Sequence, residues 1–335
     1  MNLHRTITTS HTTVTLTARG RARLAAWPLA ALALMGAAGN ARAANPEVEG
    51  ALTEIKAVTG GFVPAYLKAL PENALPGVWA ETKALEVSDK TALPCKIKEI
   101  ITVAVGAQLP SRALVDGHSA LAKAGGATTA ELAEGVTIAA MARHWSTFFN
   151  GAQLDLGKFK ADIARLVAGA KAAAAAGAPP PSKPIAIVDA RSAMDDMKQS
   201  FGFVPDFATR FPAAALPGAW RQMRDVELNP HTALPGKYKS LVSLAVASQI
   251  PCSYCIVADT EFAKLEGATD QEITEAVAMA GLARQTATAL TGLGVDETVY
   301  RKDMERIAQR VTQMMAAARQ GGGARDAREL TSARK

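Results

Sequence analysis

Cysteine is nearly absent, with three in 335 residues, too few for a disulfide-framed scaffold. Aromatic residues are also scarce, at 5% of the chain against 49% hydrophobic residues overall, so alanine and aliphatic side chains must build most of the core, as in close-packed helices. Alternating β-branched runs, the mark of half-buried strands, hardly occur. There is no glycine-rich phosphate loop and no Gly-x-Ser-x-Gly elbow, which excludes the chemistries built on them. Strong charge is missing too. The formal net charge is +6, but residues 1–43 carry five arginines and no acid. The remaining body is close to neutral and has no electrostatic footprint for nucleic acid.

Those first 43 residues read as a signal peptide. Arg19, Arg21 and Arg23 precede an apolar stretch from Leu24 to about Ala38, and Ala41-Arg42-Ala43 forms a small-x-small cleavage site. The stretch is too short for a membrane span, and the arginines are too far apart for a twin-arginine signal. The expectation is a periplasmic or secreted protein without stable membrane insertion, in a compartment that oxidises close cysteine pairs.

From about residue 50 to 159 and again from 191 to 300, the chain repeats without a gap at an offset of 141. Gly61-Phe62-Val63-Pro64 matches Gly202-Phe203-Val204-Pro205, and Thr91-Ala92-Leu93-Pro94 matches Thr232-Ala233-Leu234-Pro235. The period is too long for a solenoid, so two similar globular units are expected. Each reads as helical. Residues 96–108 and 237–249 are apolar almost all round beyond their first turn, as in a buried helix. Thr128-x-x-Glu131 and Thr269-x-x-Glu272 fit capping boxes that open alanine-rich helices ending near Gly151 and Gly292. The fold class is all-α, with a first domain at 50–165, an Ala/Pro linker at 166–184, a second domain at 185–315 and a disordered tail at 316–335.

Two of the cysteines stand three residues apart in Ile250-Pro251-Cys252-Ser253-Tyr254-Cys255. A helix starting at Cys252 places it at the N-cap with Cys255 one turn in, where unpaired N–H groups favour a thiolate. Asp259, ionised at its reference pKa of ~3.9, would oppose that for Cys255. The first copy has Ser111 and Leu114 at the cysteine positions, and Cys95 is a lone thiol whose second-copy equivalent is Gly236. A structural zinc needs about four ligands, and no second Cys-x-x-Cys or spaced histidine pair exists. Haem attachment would need histidine where Ile256 stands. No metal or cofactor is expected.

The Cys-x-x-Cys with its preceding helix, and the run Ala140-Met141-Ala142-Arg143-His144-Trp145-Ser146-Thr147 with Asn150-Gly151, resemble carboxymuconolactone decarboxylase-like proteins, which include the alkylhydroperoxidase D branch. The resemblance spans both copies. It implies a mechanism in which the second cysteine attacks a hydroperoxide, a glutamate and a histidine relay the proton, and the first cysteine closes a disulfide. On this chain the pattern is split. Cys252 and Cys255 fill the cysteine positions of the second copy, where Ser240 and Asp259 replace the relay; Glu99 and His118 fill the relay positions of the first. Either Glu99 and His118, with His144, serve the cysteines across a pseudo-twofold interface, or the second copy acts alone, or both sites have decayed.

The expected function is an exported thiol oxidoreductase reducing hydroperoxides through Cys255 and Cys252. A decarboxylase-like lyase and a non-catalytic module with a structural disulfide are the alternatives. A small hydroperoxide, an unidentified thiol or dithiol reductant and further copies of the chain are the partners implied, with no nucleic acid.

Overall fold

A computed structural model describes residues 45–177 and 185–332, with side chains to residue 317. The stretch read as a signal peptide and the prolines at 179–181 lie outside the described residues. Every regular element among the described residues is helical. The first copy comprises α1 (Pro46–Thr59), α2 (Ala65–Lys68), α3 (Leu75–Thr82) running into a π-helical turn (Lys83–Val87), α4 (Cys95–Gln108), α5 (Arg112–Ala124), α6 (Thr129–Gly151) and α7 (Leu156–Ala175). The second repeats the order as α8 (Ala190–Phe201), α9 (Asp206–Arg210), α10 (Leu216–Gln222) with its π-helical turn (Met223–Glu227), α11 (Gly236–Gln249), α12 (Ser253–Leu265), α13 (Asp270–Gly292) and α14 (Glu297–Ser332).

Local chemistry sets the boundaries. Both expected capping boxes form, so that Thr128 and Thr269 each accept from the N–H three residues on while Glu131 and Glu272 reach back. Asn45 caps α1, which ends on Gly60 in the left-handed region at φ 87°. Helix α7 runs on to Ala175, so the first part of the expected linker is helix: the stretch from Ala168 holds alanines, one lysine and one glycine, and no proline interrupts it before residue 179. The backbone of α14 likewise stays helical to Ser332, through the stretch expected to be a disordered tail.

The two copies pack as one body around α4 and α11, whose buried residues Ile97, Ile101, Leu241 and Ala245 share one core with residues of α6 and α13. The contacts are reciprocal. Glu134 on α6 accepts from the N–H groups of Ala233 (2.7 Å) and Leu234 (3.4 Å), and its equivalent Glu275 accepts from those of Ala92 (2.9 Å) and Leu93 (2.8 Å). Gln108 meets its own equivalent, Gln249, on the axis. Such exchange of i-to-j and j-to-i contacts defines an isologous interface, here between halves of one chain.

The last helix of each copy crosses to the other. Helix α14 lies on α5, α2 and α1, and α7 lies on α12, α9 and α8. Asp303 accepts from the Ala65 N–H (2.7 Å) and Asp162 from the Asp206 N–H (2.8 Å). The guanidinium of Arg306 covers the Phe62 ring, and that of Arg165 covers Phe203. Each half is therefore completed by the other.

Glu134→Ala strips the Ala233 and Leu234 amides and the Thr232 hydroxyl of a shared acceptor. We expect a loss of ~2 kcal/mol in urea unfolding, on the scale of charge-assisted hydrogen bonds, with one cooperative transition retained. Separate transitions for the two halves would contradict their reciprocal packing.

Candidate functional site

Equivalent places in the two copies hold different chemistry. In the first, His118 on α5 is buried, with Nδ1 2.8 Å from Glu99 Oε2 and Nε2 3.0 Å from the Tyr300 hydroxyl. Tyr300 comes from α14 of the second copy and is allowed in by Gly117, where a Cβ would stand 2.8 Å from Met304 Cγ and 3.2 Å from Tyr300 Cε1. Glu86 on the π-helical turn approaches His118 Nδ1 at 3.6 Å. Burial works against the His118 charge, but the hydrogen bond and charge of Glu99, with that of Glu86, outweigh it and raise the pKa. Burial, reinforced by Glu99, pushes Glu86 up to about 7 despite His118 and Lys98.

Glu86, Glu99 and His118 each offer a ligand atom within 4.8 Å of the others, close enough to hold a divalent cation. The His118–Glu99 ion pair also accounts for the arrangement without one.

In the second copy the same scaffold holds the cysteines. Cys252 is the N-cap of α12 and fully buried, Cys255 lies one turn in, and the two are joined as a disulfide. The Cys255 N–H donates to Cys252 Sγ at 3.3 Å, so the thiolate-favouring end of the helix serves Cys252. Asn150, from α6 of the first copy, points its amide at the same sulfur at 3.7 Å.

Cys255 lines a cavity of about 70 Å³ together with Trp145, Phe149 and Phe159 of the first copy and Phe207, Asp259 and Glu227 of the second. The aromatic wall reverses the first site's polarity. Phe159 replaces Tyr300, Phe207 replaces Tyr66, and Trp145 and Phe149 stand where the other half has Thr286 and Leu290.

Asp259 differs from the sequence expectation of an ionised neighbour. It is buried, accepts a hydrogen bond from Ser243 (2.8 Å), and burial plus the charge of Glu227 push its pKa well above the usual carboxylate range. Burial also lifts Glu227 to about 7, against the pull of Lys239. In an apolar cavity both carboxyls favour the neutral acid.

The structure brings Glu99 to His118 but neither to the cysteines. Neither lines the Cys255 cavity, and His118 is occupied by Glu99 and Tyr300. His144 is exposed and lines a separate open groove with Arg143, Phe148 and Phe211. Each site draws residues from both copies, but what crosses the interface is the aromatic wall and Tyr300 rather than the proton relay.

Sequence reasoning missed Glu86 and Glu227. Both were visible as an acid kept at the 141-residue offset where the cysteines and the relay are not. Both ride on π-helical turns, a feature that clusters at functional sites. Each turn is pinned by a buried lysine. Lys98 donates to Leu85 O, Ser88 O and Thr91 Oγ1, and Lys239 to Val226 O, Asn229 O and Thr232 Oγ1.

A sequence profile of the carboxymuconolactone decarboxylase family matches residues 74–154 and again 214–298. The chain belongs to the carboxymuconolactone decarboxylase family. The double match is the tandem duplication read from the repeat, and it runs from α3 through α6 in the first copy and from α10 through α13 in the second, each time taking in the π-helical turn. No curated protein and no solved structure was found to match.

The raised carboxyls have a sign that can be measured. Between about pH 4.3, where unfolded glutamate ionises, and about 7, where Glu86 and Glu227 do so when folded, the folded chain holds protons the unfolded chain has released. Stability therefore falls as pH rises through that window. The raised His118 adds a loss in the same direction above about pH 6.5. We expect Tm to fall from pH 5 to pH 8 and Glu227→Gln to flatten the slope. A Tm rising across that range would contradict the assignment.

Proposed function

We propose that the second copy is a thiol peroxidase site, with Cys255 attacking a small hydroperoxide and Cys252 resolving the product into a disulfide. One observation carries this: Cys255 faces an apolar cavity while Cys252 sits buried behind it, already at bonding distance, with backbone and Asn150 donors on its sulfur. That division suits an attacking thiol in contact with substrate and a resolving thiol shielded from it. It also matches the order of roles in the alkylhydroperoxidase D branch that the sequence resembles. A thiol or dithiol reductant returns the disulfide to its reduced state. Export belongs to the same reading and rests on the leader-like residues 1–43.

A second reading has one observation in its favour. The cysteine-free Glu86, Glu99, His118 and Tyr300 cluster pairs acids with a histidine of raised pKa, the equipment for proton transfer at carbon in a lyase.

The test is mass spectrometry with thiol alkylation, on reduced protein before and after stoichiometric organic hydroperoxide. We expect the Cys252/Cys255 disulfide to form within seconds, Cys252→Ser to stop at an oxidised Cys255, and Cys255→Ser to abolish peroxide consumption. Reduced thiols indifferent to peroxide would refute the peroxidase and leave a structural disulfide. Lactone turnover that survives Cys255→Ser would establish the second reading.

The mature protein isolated from its native compartment should begin at Ala44. A chain retaining residues 1–43 would contradict export.

A further inference from the structure

The thiol peroxidase reading leaves a chemical gap. Cys255 needs its proton removed, and the departing alkoxide needs one supplied, yet the glutamate and histidine of the family relay are Ser240 and Asp259 here. The helix N-terminus does not fill the gap, because the amide that would favour a thiolate is spent on Cys252. An apolar cavity favours the neutral thiol of Cys255.

Among the described residues, two ionisable groups besides Cys255 line that cavity, Asp259 and Glu227. Asp259 is 4% exposed and tied to Ser243. Glu227 makes no hydrogen bond among the described residues. It also lines a second, outer cavity of about 620 Å³, which shares Leu166, Phe201, Leu228 and Phe262 with the inner one. Glu227 thus stands where the two cavities meet, sharing the wall of the smaller one with Cys255 and facing the larger one on its other side. Lys239, buried under the π-helical turn, holds it there.

We infer that Glu227, resting on the thiol peroxidase reading, is the catalytic proton shuttle of the second copy and replaces the relay that this copy lacks. In the first step the Glu227 carboxylate takes the Cys255 thiol proton as sulfur attacks the terminal peroxide oxygen. The S–O bond forms, the O–O bond breaks, and Glu227 returns the proton to the departing alkoxide. Sulfur loses two electrons, the peroxide gains them, and the balance is thiol plus ROOH giving sulfenic acid plus ROH. In the second step the Cys252 thiol attacks Cys255, expelling water and forming the disulfide. An external dithiol then reduces the disulfide and is itself oxidised.

The groups facing Glu227 are Lys239 and Ser240 from α11, Cys255 and Asp259 from α12, Glu266 just beyond it, and Arg224 on its own turn. Asp259 and Glu227 titrate as a pair, and the first proton leaves near neutral pH.

The experiment is single-turnover oxidation of the reduced full chain by an organic hydroperoxide, followed by Trp fluorescence from pH 5 to 9. In the wild type the rate should rise through an inflection near neutral pH and level off. At the pH where the wild type levels off, Glu227→Gln should lower the rate by 10²-fold or more, within the range for general acid–base groups. It should also abolish the inflection, leaving a rate that climbs steadily with hydroxide as the Cys255 thiol ionises by itself. Glu227→Asp should keep the inflection at a reduced rate, and circular dichroism should show both variants folded.

A Glu227→Gln enzyme with the wild-type rate and profile would overturn the inference while leaving the peroxidase intact. So would Asp259→Asn removing the inflection while Glu227→Gln kept it. No oxidation in the wild type would instead remove the peroxidase reading itself.

Discussion

The reciprocal burial of α4 against α11, with the last helix of each copy laid over the other, is the constraint on which the remaining structure depends. Neither site is complete within its own half. The first needs Tyr300 from α14, and the second needs Trp145, Phe149 and Phe159 from α6 and α7. The Glu134 and Glu275 carboxylates fix the register of this exchange by capping backbone amides of the opposite copy. Because the interface lies within one chain, assembling it carries no concentration dependence, and its two faces are free to diverge.

Divergence has proceeded by dividing the chemistry. One half keeps an ion pair of His118 with Glu99 and sets the Tyr300 hydroxyl against it; the other keeps the cysteines and surrounds them with phenylalanine and tryptophan. These environments fit their contents. A charged imidazole gains from polar partners, whereas an apolar cavity suits a thiol and raises the pKa of the two carboxyls that line it with Cys255. What the halves share is the acid on the π-helical turn, held in each case by a buried lysine that satisfies the turn's carbonyls.

Much of this could be read from residues in order. The duplication, the all-α class, both capping boxes and the placing of Cys252 at a helix N-cap follow from local patterns, because caps and helical periodicity are decided within a few residues. Helix extends into the start of the expected Ala/Pro linker, to Ala175, and along the backbone of the expected disordered tail, to Ser332. Runs of alanine are strong helix formers, and α7 continues through them until Ala176 caps it and Gly177 turns left-handed at φ 60°.

The sequence by itself determined which residues exist in equivalent pairs and which chemistry each pair retains or has lost. Tertiary structure alone decided which of them meet. Tyr300 and His118 lie 182 residues apart, and no local rule pairs them. The same holds for the first-copy wall around Cys255 and for the burial that turns Asp259 from an expected carboxylate into a neutral acid. Desolvation is a property of everything packed around a group, so it appears only once distant segments have closed over it.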